Sequence, residues 1–144
     1  MRPLAAAEDL AREFIHSLTV EQRATAVVSK VPPTDIVGAN RAGIDSALVL
    51  TGVSTKKELL GVKADGRPTY ILENLRELHR PYSEPKKTKF GFSCDGAKVE
   101  LLAGKVRIIS GQPGSLAVLK AACAVIWNAP TPIHTLDVEP ALYE

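Results

Sequence analysis

The chain has 144 residues, of which 45% are hydrophobic and 24% are charged, with a formal net charge of +2 at pH 7. This composition excludes collagen-like and long disordered chains, no apolar run approaches the roughly 20 residues of a membrane span, and the small net charge argues against nucleic acid as a partner. Two cysteines give no disulfide framework and acidic residues precede any apolar stretch at the N-terminus, so the sequence predicts a cytoplasmic protein without a secretory signal.

Residues 1–33 have the spacing of two consecutive helices. One face of the first helix collects its apolar residues, which are Leu10, Phe14, Ile15 and Leu18. Thr19 and Gln22 match a capping box that would start a second helix, which we predict to continue through Val27. The Pro32-Pro33 pair would end it, because proline lacks the N–H that a helix interior needs. The segment therefore predicts a helical hairpin.

Residues 34–79 alternate between helical and strand patterns. A helix over residues 36–41 would be capped by Asp35 and ended by Gly43. Two short apolar runs have the length of buried strands, residues 47–50 and 69–72. Two capping pairs mark further helices, Thr55 with Glu58 and Asn74 with Glu77. This alternation predicts a partial Rossmann-like parallel α/β unit, although two strands are too few for a sheet.

Residues 80–88 are polar and contain two prolines, which is typical of a linker. Residues 89–129 predict an antiparallel meander, because apolar stretches are separated by the two-residue turns Asp95-Gly96 and Ala103-Gly104. Ser115 would begin a helix whose apolar face covers the meander.

The last residues, 130–144, show little periodicity and are predicted to form an extended tail. The predicted fold class is α/β in the central unit and α+β overall. Its parts are the helical hairpin, the partial parallel unit and the helix-covered meander.

The central segment resembles a known family in residues 34–43 and 47–54. Their sequences, TDIVGANRAG and ALVLTGVS, are similar to the last conserved part of the haloacid-dehalogenase-type phosphatases, in the subgroup that includes sugar and glycerol phosphate phosphatases. Residues 70–78 resemble that fold's closing strand and helix. The third segment resembles the small acetyltransferase-like extension of mycobacterial glycerol 3-phosphate phosphatases. The N-terminal helices resemble instead an uncharacterised bacterial family, with the join near Pro33-Thr34-Asp35.

The resemblance implies a magnesium-dependent phosphatase with an aspartate nucleophile and an aspartate general acid, two residues apart on the first strand. A phosphoryl group carries dispersed negative charge, which a metal ion and a lysine would neutralise. No two aspartates of this sequence are separated by one residue; they are Asp9, Asp35, Asp45, Asp65, Asp95 and Asp137. The sequence therefore offers no catalytic residue of this type.

Asp35 is the candidate metal ligand. In the family the late acidic motif reads Gly-Asp, four residues, then Asp, and the resemblance aligns Asp35 with the last position. Ser29 and Lys30 then stand where the family has Gly-Asp, so a cation replaces one carboxylate. Since Mg²⁺ is usually held by one or two carboxylates, Asp35 is interpreted either as a helix cap or as the surviving magnesium ligand. Magnesium is a cofactor only in the second case.

Other reactive side chains have structural interpretations, because none has a partner at metal-ligand spacing: His16, His79, His134, Cys94 and Cys123. We expect Cys123 in the core, and Cys94 beside the Asp95-Gly96 turn lacks the basic neighbour of an activated thiolate. Residues 111–115, before the last helix, would present N–H groups to an anion, but loop geometry explains their glycines equally.

Two functions remain open. The first is a hydrolase of small phosphomonoesters such as glycerol 3-phosphate, in which case the partner is a small phosphorylated metabolite. The missing nucleophile leaves open whether this chain is an enzyme by itself. The second is a truncated or recombined, non-catalytic binding or regulatory module that self-associates, or binds a fuller phosphatase chain, through an exposed strand edge. Neither function predicts nucleic acid or a membrane as a partner.

Overall fold

The computed structural model describes residues 26–29, 34–50 and 55–143, which fall into two compact units. The first unit contains the described residues up to 53 together with Asp65–Tyr82. The second contains the described residues within Ser54–Ala64 and Ser83–Glu144. The chain therefore passes between the units three times.

The first unit is built on a three-stranded parallel sheet. Its strands lie in the order β1-β2-β3, where β1 is Ala26–Ser29, β2 is Asp45–Val49 and β3 is Tyr70–Leu72. The last four residues of the central strand, β2, are all buried. The prediction of a parallel α/β unit with a strand buried on both faces is confirmed.

Strand β1 corrects the prediction that the second helix continues through Val27. The β-branched pair Val27-Val28 favours an extended backbone, and pairing with β2 adds hydrogen bonds that a short isolated helix lacks. β1 thus completes the sheet that the two predicted strands left too small. The rest of the predicted helical hairpin lies outside the described residues.

Helix α1, Thr34–Ala42, packs against β1 and β2 and buries Ile36 and Ala39. It ends as predicted at Gly43, whose φ is 68°. The N–H of Gly43 donates to the carbonyl of Asn40 (3.2 Å), and the N–H of Ile44 donates to the carbonyl of Ala39 (2.9 Å). These two bonds form a Schellman motif, which satisfies carbonyl groups at the end of the helix.

The sheet of the first unit also carries a small apolar cluster. Ala47, Val49 and Leu72 form its buried part, and four partly buried side chains pack on it, namely Tyr70, Leu75, Leu78 and Tyr82. Two of these belong to Leu75–His79, which is a 3-10 helix capped by Asn74. Side chains of this 3-10 helix therefore help to cover β2 and β3.

The second unit contains a five-stranded sheet in the order β4-β5-β6-β7-β8. Its strands are β4 (Lys86–Lys87), β5 (Gly91–Cys94), β6 (Ala97–Leu102), β7 (Lys105–Ser110) and β8 (Asp137–Val138). Neighbouring strands are antiparallel except β7 and β8. The turn residues Asp95-Gly96 and Ala103-Gly104 all have positive φ, as a type I′ turn requires. The predicted meander is confirmed, and β4 falls within the predicted linker.

Two helices pack in the second unit. α2 is Lys56–Leu60 and α3 is Leu116–Trp127; α3 covers β5, β6 and β7, and α2 packs against α3. The predicted caps are present, because Ser115 Oγ accepts from the Val118 N–H (3.3 Å), and Thr55 and Glu58 form a reciprocal capping box. The hydrogen bonds from Thr55 lower the pKa of Glu58. No helix in the described ranges is long and apolar enough to cross a membrane.

The C-terminal residues differ from the predicted extended tail. They contain β8 and two 3-10 helices, Ile133–Thr135 and Pro140–Leu142. Glu139 Oε2 accepts from the N–H of Ile108 in β7 (2.9 Å), and Leu142 is completely buried. The tail docks through single residues rather than through a repeating face, so sequence periodicity could not reveal it.

Candidate functional site

The candidate site lies at the carboxyl ends of the parallel strands in the first unit, the edge at which open α/β sheets bind ligands. The connection from β1 leads to the amino end of α1, which places Asp35 at this edge. Glu73 and Asn74 follow the carboxyl end of β3. The side chains of Asp35, Glu73 and Asn74 are therefore the candidate ligand-binding groups at this edge.

Asp35 is an exposed residue in the first turn of α1. The helix begins at Thr34, so Asp35 lies one residue inside it rather than at the predicted cap position. A carboxylate in the first turn is stabilised by the helix dipole, which explains an acidic residue here without a ligand. The interpretation of Asp35 as the cap residue is therefore replaced by a favourable interaction of its carboxylate with the helix dipole.

The magnesium interpretation needs further oxygen ligands near Asp35. Among the described residues, no group of three or more His, Cys, Asp or Glu side chains is arranged to hold a metal ion. Lys30, which the resemblance aligns with the other carboxylate, lies outside the described ranges. The residues that the structure describes therefore do not by themselves form a magnesium site.

The polar side chains that follow β3 are engaged with the backbone. Asn74 Oδ1 accepts from the N–H of Arg76 (3.0 Å), as predicted for a helix cap. Glu77 Oε2 accepts from the N–H of Glu73 (3.2 Å). Both contacts stabilise the start of the 3-10 helix, so they give Asn74 and Glu77 structural roles.

The other described aspartates of the first unit are Asp45 and Asp65, and neither lies at the carboxyl edge of the sheet. Asp45 is at the amino end of β2, where its carboxylate accepts from the hydroxyls of Thr69 and Tyr70, both at 3.4 Å. Asp65 lies in a 3-10 helix of the first unit. Asp95 and Asp137 belong to the second unit. Within the described residues of the first unit, the fold therefore brings no second aspartate beside Asp35.

The remaining candidates do not add a reactive group. His79 and His134 are exposed at two different 3-10 helices, and His16 lies outside the described residues. Cys123 is buried in α3, as predicted. Cys94 is also buried; this burial raises the pKa of its thiol, and the charge of Asp95 raises it further. A thiol with a raised pKa is a poor nucleophile at neutral pH.

Asn40 has a role that the sequence analysis missed. Its Nδ2 donates to the carbonyl oxygens of Asp65 (2.7 Å) and Arg67 (2.9 Å). These bonds fasten α1 to the segment that leads into β3, and so hold the helix that carries Asp35. The available signal was an asparagine inside a helix, since asparagine is a weak helix former there unless its side chain has another partner.

We expect Asn40→Ala to destabilise the first unit by about 1–3 kcal/mol, because two backbone carbonyls lose their donor. Urea denaturation followed by circular dichroism measures this change. Asn128→Ala is the matched control, since the Asn128 amide makes one exposed bond to the Ala124 carbonyl at the end of α3. Equal losses of stability in the two variants would show that the two hydrogen bonds of Asn40 stabilise the protein no more than the single exposed bond of Asn128.

A family model described as HAD-hydrolase-like, that is, haloacid-dehalogenase-like, matches residues 5–78, just over half of the chain. The chain belongs to this family. The match begins at residue 5, so it includes most of the N-terminal segment, which the sequence alone relates to an uncharacterised bacterial family. The match continues through Pro33-Thr34-Asp35 without a boundary there.

Two solved structures and one characterised protein give closer comparisons. The D-glycerol 3-phosphate phosphatase of Mycobacterium tuberculosis is 32% identical in an alignment of 111 residues, which covers 74% of this chain and 31% of that protein. A crystal structure of glycerol phosphate phosphatase from the same organism with magnesium has a TM-score of 0.59 at 29% identity, covering 92% of this chain and 36% of that one. Its calcium complex has a TM-score of 0.61 at 28% identity, covering 92% and 39%.

These matches extend the relationship beyond the first unit. The structural alignments cover 92% of the chain, although the family model ends at residue 78. The mixed α/β fold is therefore that of the phosphatase relatives. The chain spans about a third of the length of the relatives it matches.

Proposed function

We propose that this chain forms part of a hydrolase of small phosphomonoesters, with glycerol 3-phosphate as the first candidate substrate. The observation that carries the proposal is the parallel sheet with Asp35 at the carboxyl edge, within a chain of the HAD-hydrolase-like family. Support for the substrate class comes from the relatives, which are glycerol phosphate phosphatases.

The nucleophile of such a hydrolase would come from residues outside the 144-residue sequence. Covalent phosphoryl transfer needs a carboxylate that attacks phosphorus and a nearby acid that protonates the leaving oxygen. The sequence has no two aspartates separated by one residue, and the described carboxylates are dispersed. What this chain contributes is Asp35 and the sheet edge around it, in a site completed by another segment or chain.

The first test measures phosphate release from glycerol 3-phosphate and from an aryl phosphate with MgCl₂. We expect the 144-residue protein alone to release phosphate no faster than the buffer. We expect release when it is mixed with a polypeptide that comprises the amino-terminal part of the mycobacterial relative. Turnover by the chain alone would contradict the assignment of the nucleophile, and no turnover in the mixture would contradict the phosphatase proposal.

The second part of this test asks whether Asp35 matters to the mixture. Asp35→Asn removes the charge but keeps the size of the side chain, and we expect it to lower turnover about tenfold or more. Asp65→Asn is the control, because Asp65 is an exposed aspartate in a 3-10 helix of the same unit. Equal activity of the two variants would remove Asp35 from the site.

A second function, a non-catalytic module that associates through a strand edge, is favoured by the edges of the sheets. In the first sheet, the outward N–H of Ile71 in β3 donates to the Tyr82 hydroxyl (3.2 Å), so that edge is partly covered. Among the described strands, β1 pairs only with β2. In the second sheet, the edge strand β4 consists of two exposed lysines, which discourage edge pairing, and the other edge strand, β8, has only two residues. The edge of β1 is therefore the proposed point of association.

Sedimentation velocity over a range of micromolar concentrations tests this second function. We expect self-association that Val28→Pro abolishes, because proline removes a backbone donor and is poorly tolerated in paired strands. Ile109→Ser is the control, since Ile109 is an exposed apolar residue of the second sheet. Circular dichroism shows whether the proline variant remains folded. A monomer at all concentrations, or loss of association in the Ile109→Ser variant alone, would contradict pairing through β1.

A further inference from the structure

We draw no further inference here: the strongest candidate, the loop of residues 111–115 at the amino end of α3, where Lys56 Nζ donates to the Gly114 carbonyl (2.9 Å), is a helix N-terminus at which nothing in the described part of the chain identifies a ligand.

Discussion

Gly91→Ala is expected to destabilise the second unit by about 3 kcal/mol, through overpacking between β5 and β6. Gly91 lies opposite Glu100 in the antiparallel pair. A Cβ atom at this position would lie 2.0 Å from the carbonyl oxygen of Val99 and 2.8 Å from the Cα of Glu100. Both are backbone atoms, so no side-chain rotation relieves the clash, and the strands would have to separate.

Urea denaturation of Gly91→Ala beside Gly61→Ala tests this expectation. Gly61 follows α2 in the same unit, has a φ of −89°, and would place a Cβ no closer than 3.8 Å to another atom. Its replacement is expected to change the free energy of unfolding by less than about 0.5 kcal/mol. If Gly91→Ala unfolds at the same urea concentration as Gly61→Ala, the strands are not as close as described.

The contrast between these glycines shows what a single sequence can reveal about this fold. The turn glycines were predictable, because Asp95-Gly96 and Ala103-Gly104 lie between apolar stretches and a tight hairpin needs positive φ there. The role of Gly91 depends on which residue of β6 lies opposite it. That register is a long-range property, and the sequence around Gly91 contains no sign of it.

Strand β1 shows a second limit. The spacing of residues along the chain favours a helix through Val27. The extended backbone found there is stabilised by pairing with the strand β2. Four residues are too few for periodicity to separate the two structures. By contrast, the continuous apolar run of β2 was sufficient to predict a strand buried on both faces.

The candidate site was predictable to the extent that it rests on motif spacing. The capping pattern predicted that Asp35 lies at the start of a helix, and the structure places it in the first turn of α1. The two backbone contacts of Asn40 were not predictable, because they join residues about 25 positions apart in the chain. Contacts of this kind depend on the completed fold rather than on neighbouring residues.

Leu142→Ala is expected to destabilise the second unit by about 2–5 kcal/mol, although the residue lies at the end of the chain. The Leu142 side chain is completely buried, and its 3-10 helix contacts both β7 and α3. Removing its side-chain atoms beyond Cβ would leave a cavity between the sheet and the helix that covers it. Thermal unfolding followed by circular dichroism measures the loss.

Leu102→Ala is the matched control for this cavity. Leu102 ends β6 in the same unit, but 48% of its surface is exposed, so its replacement is expected to cost less than about 1 kcal/mol. A clearly larger effect at Leu142 would show that the unit extends to the last described residues and that a fragment of residues 89–129 lacks part of the core. Equal effects would mean that the tail is not packed as described, and the predicted meander with its covering helix would then be the stable unit.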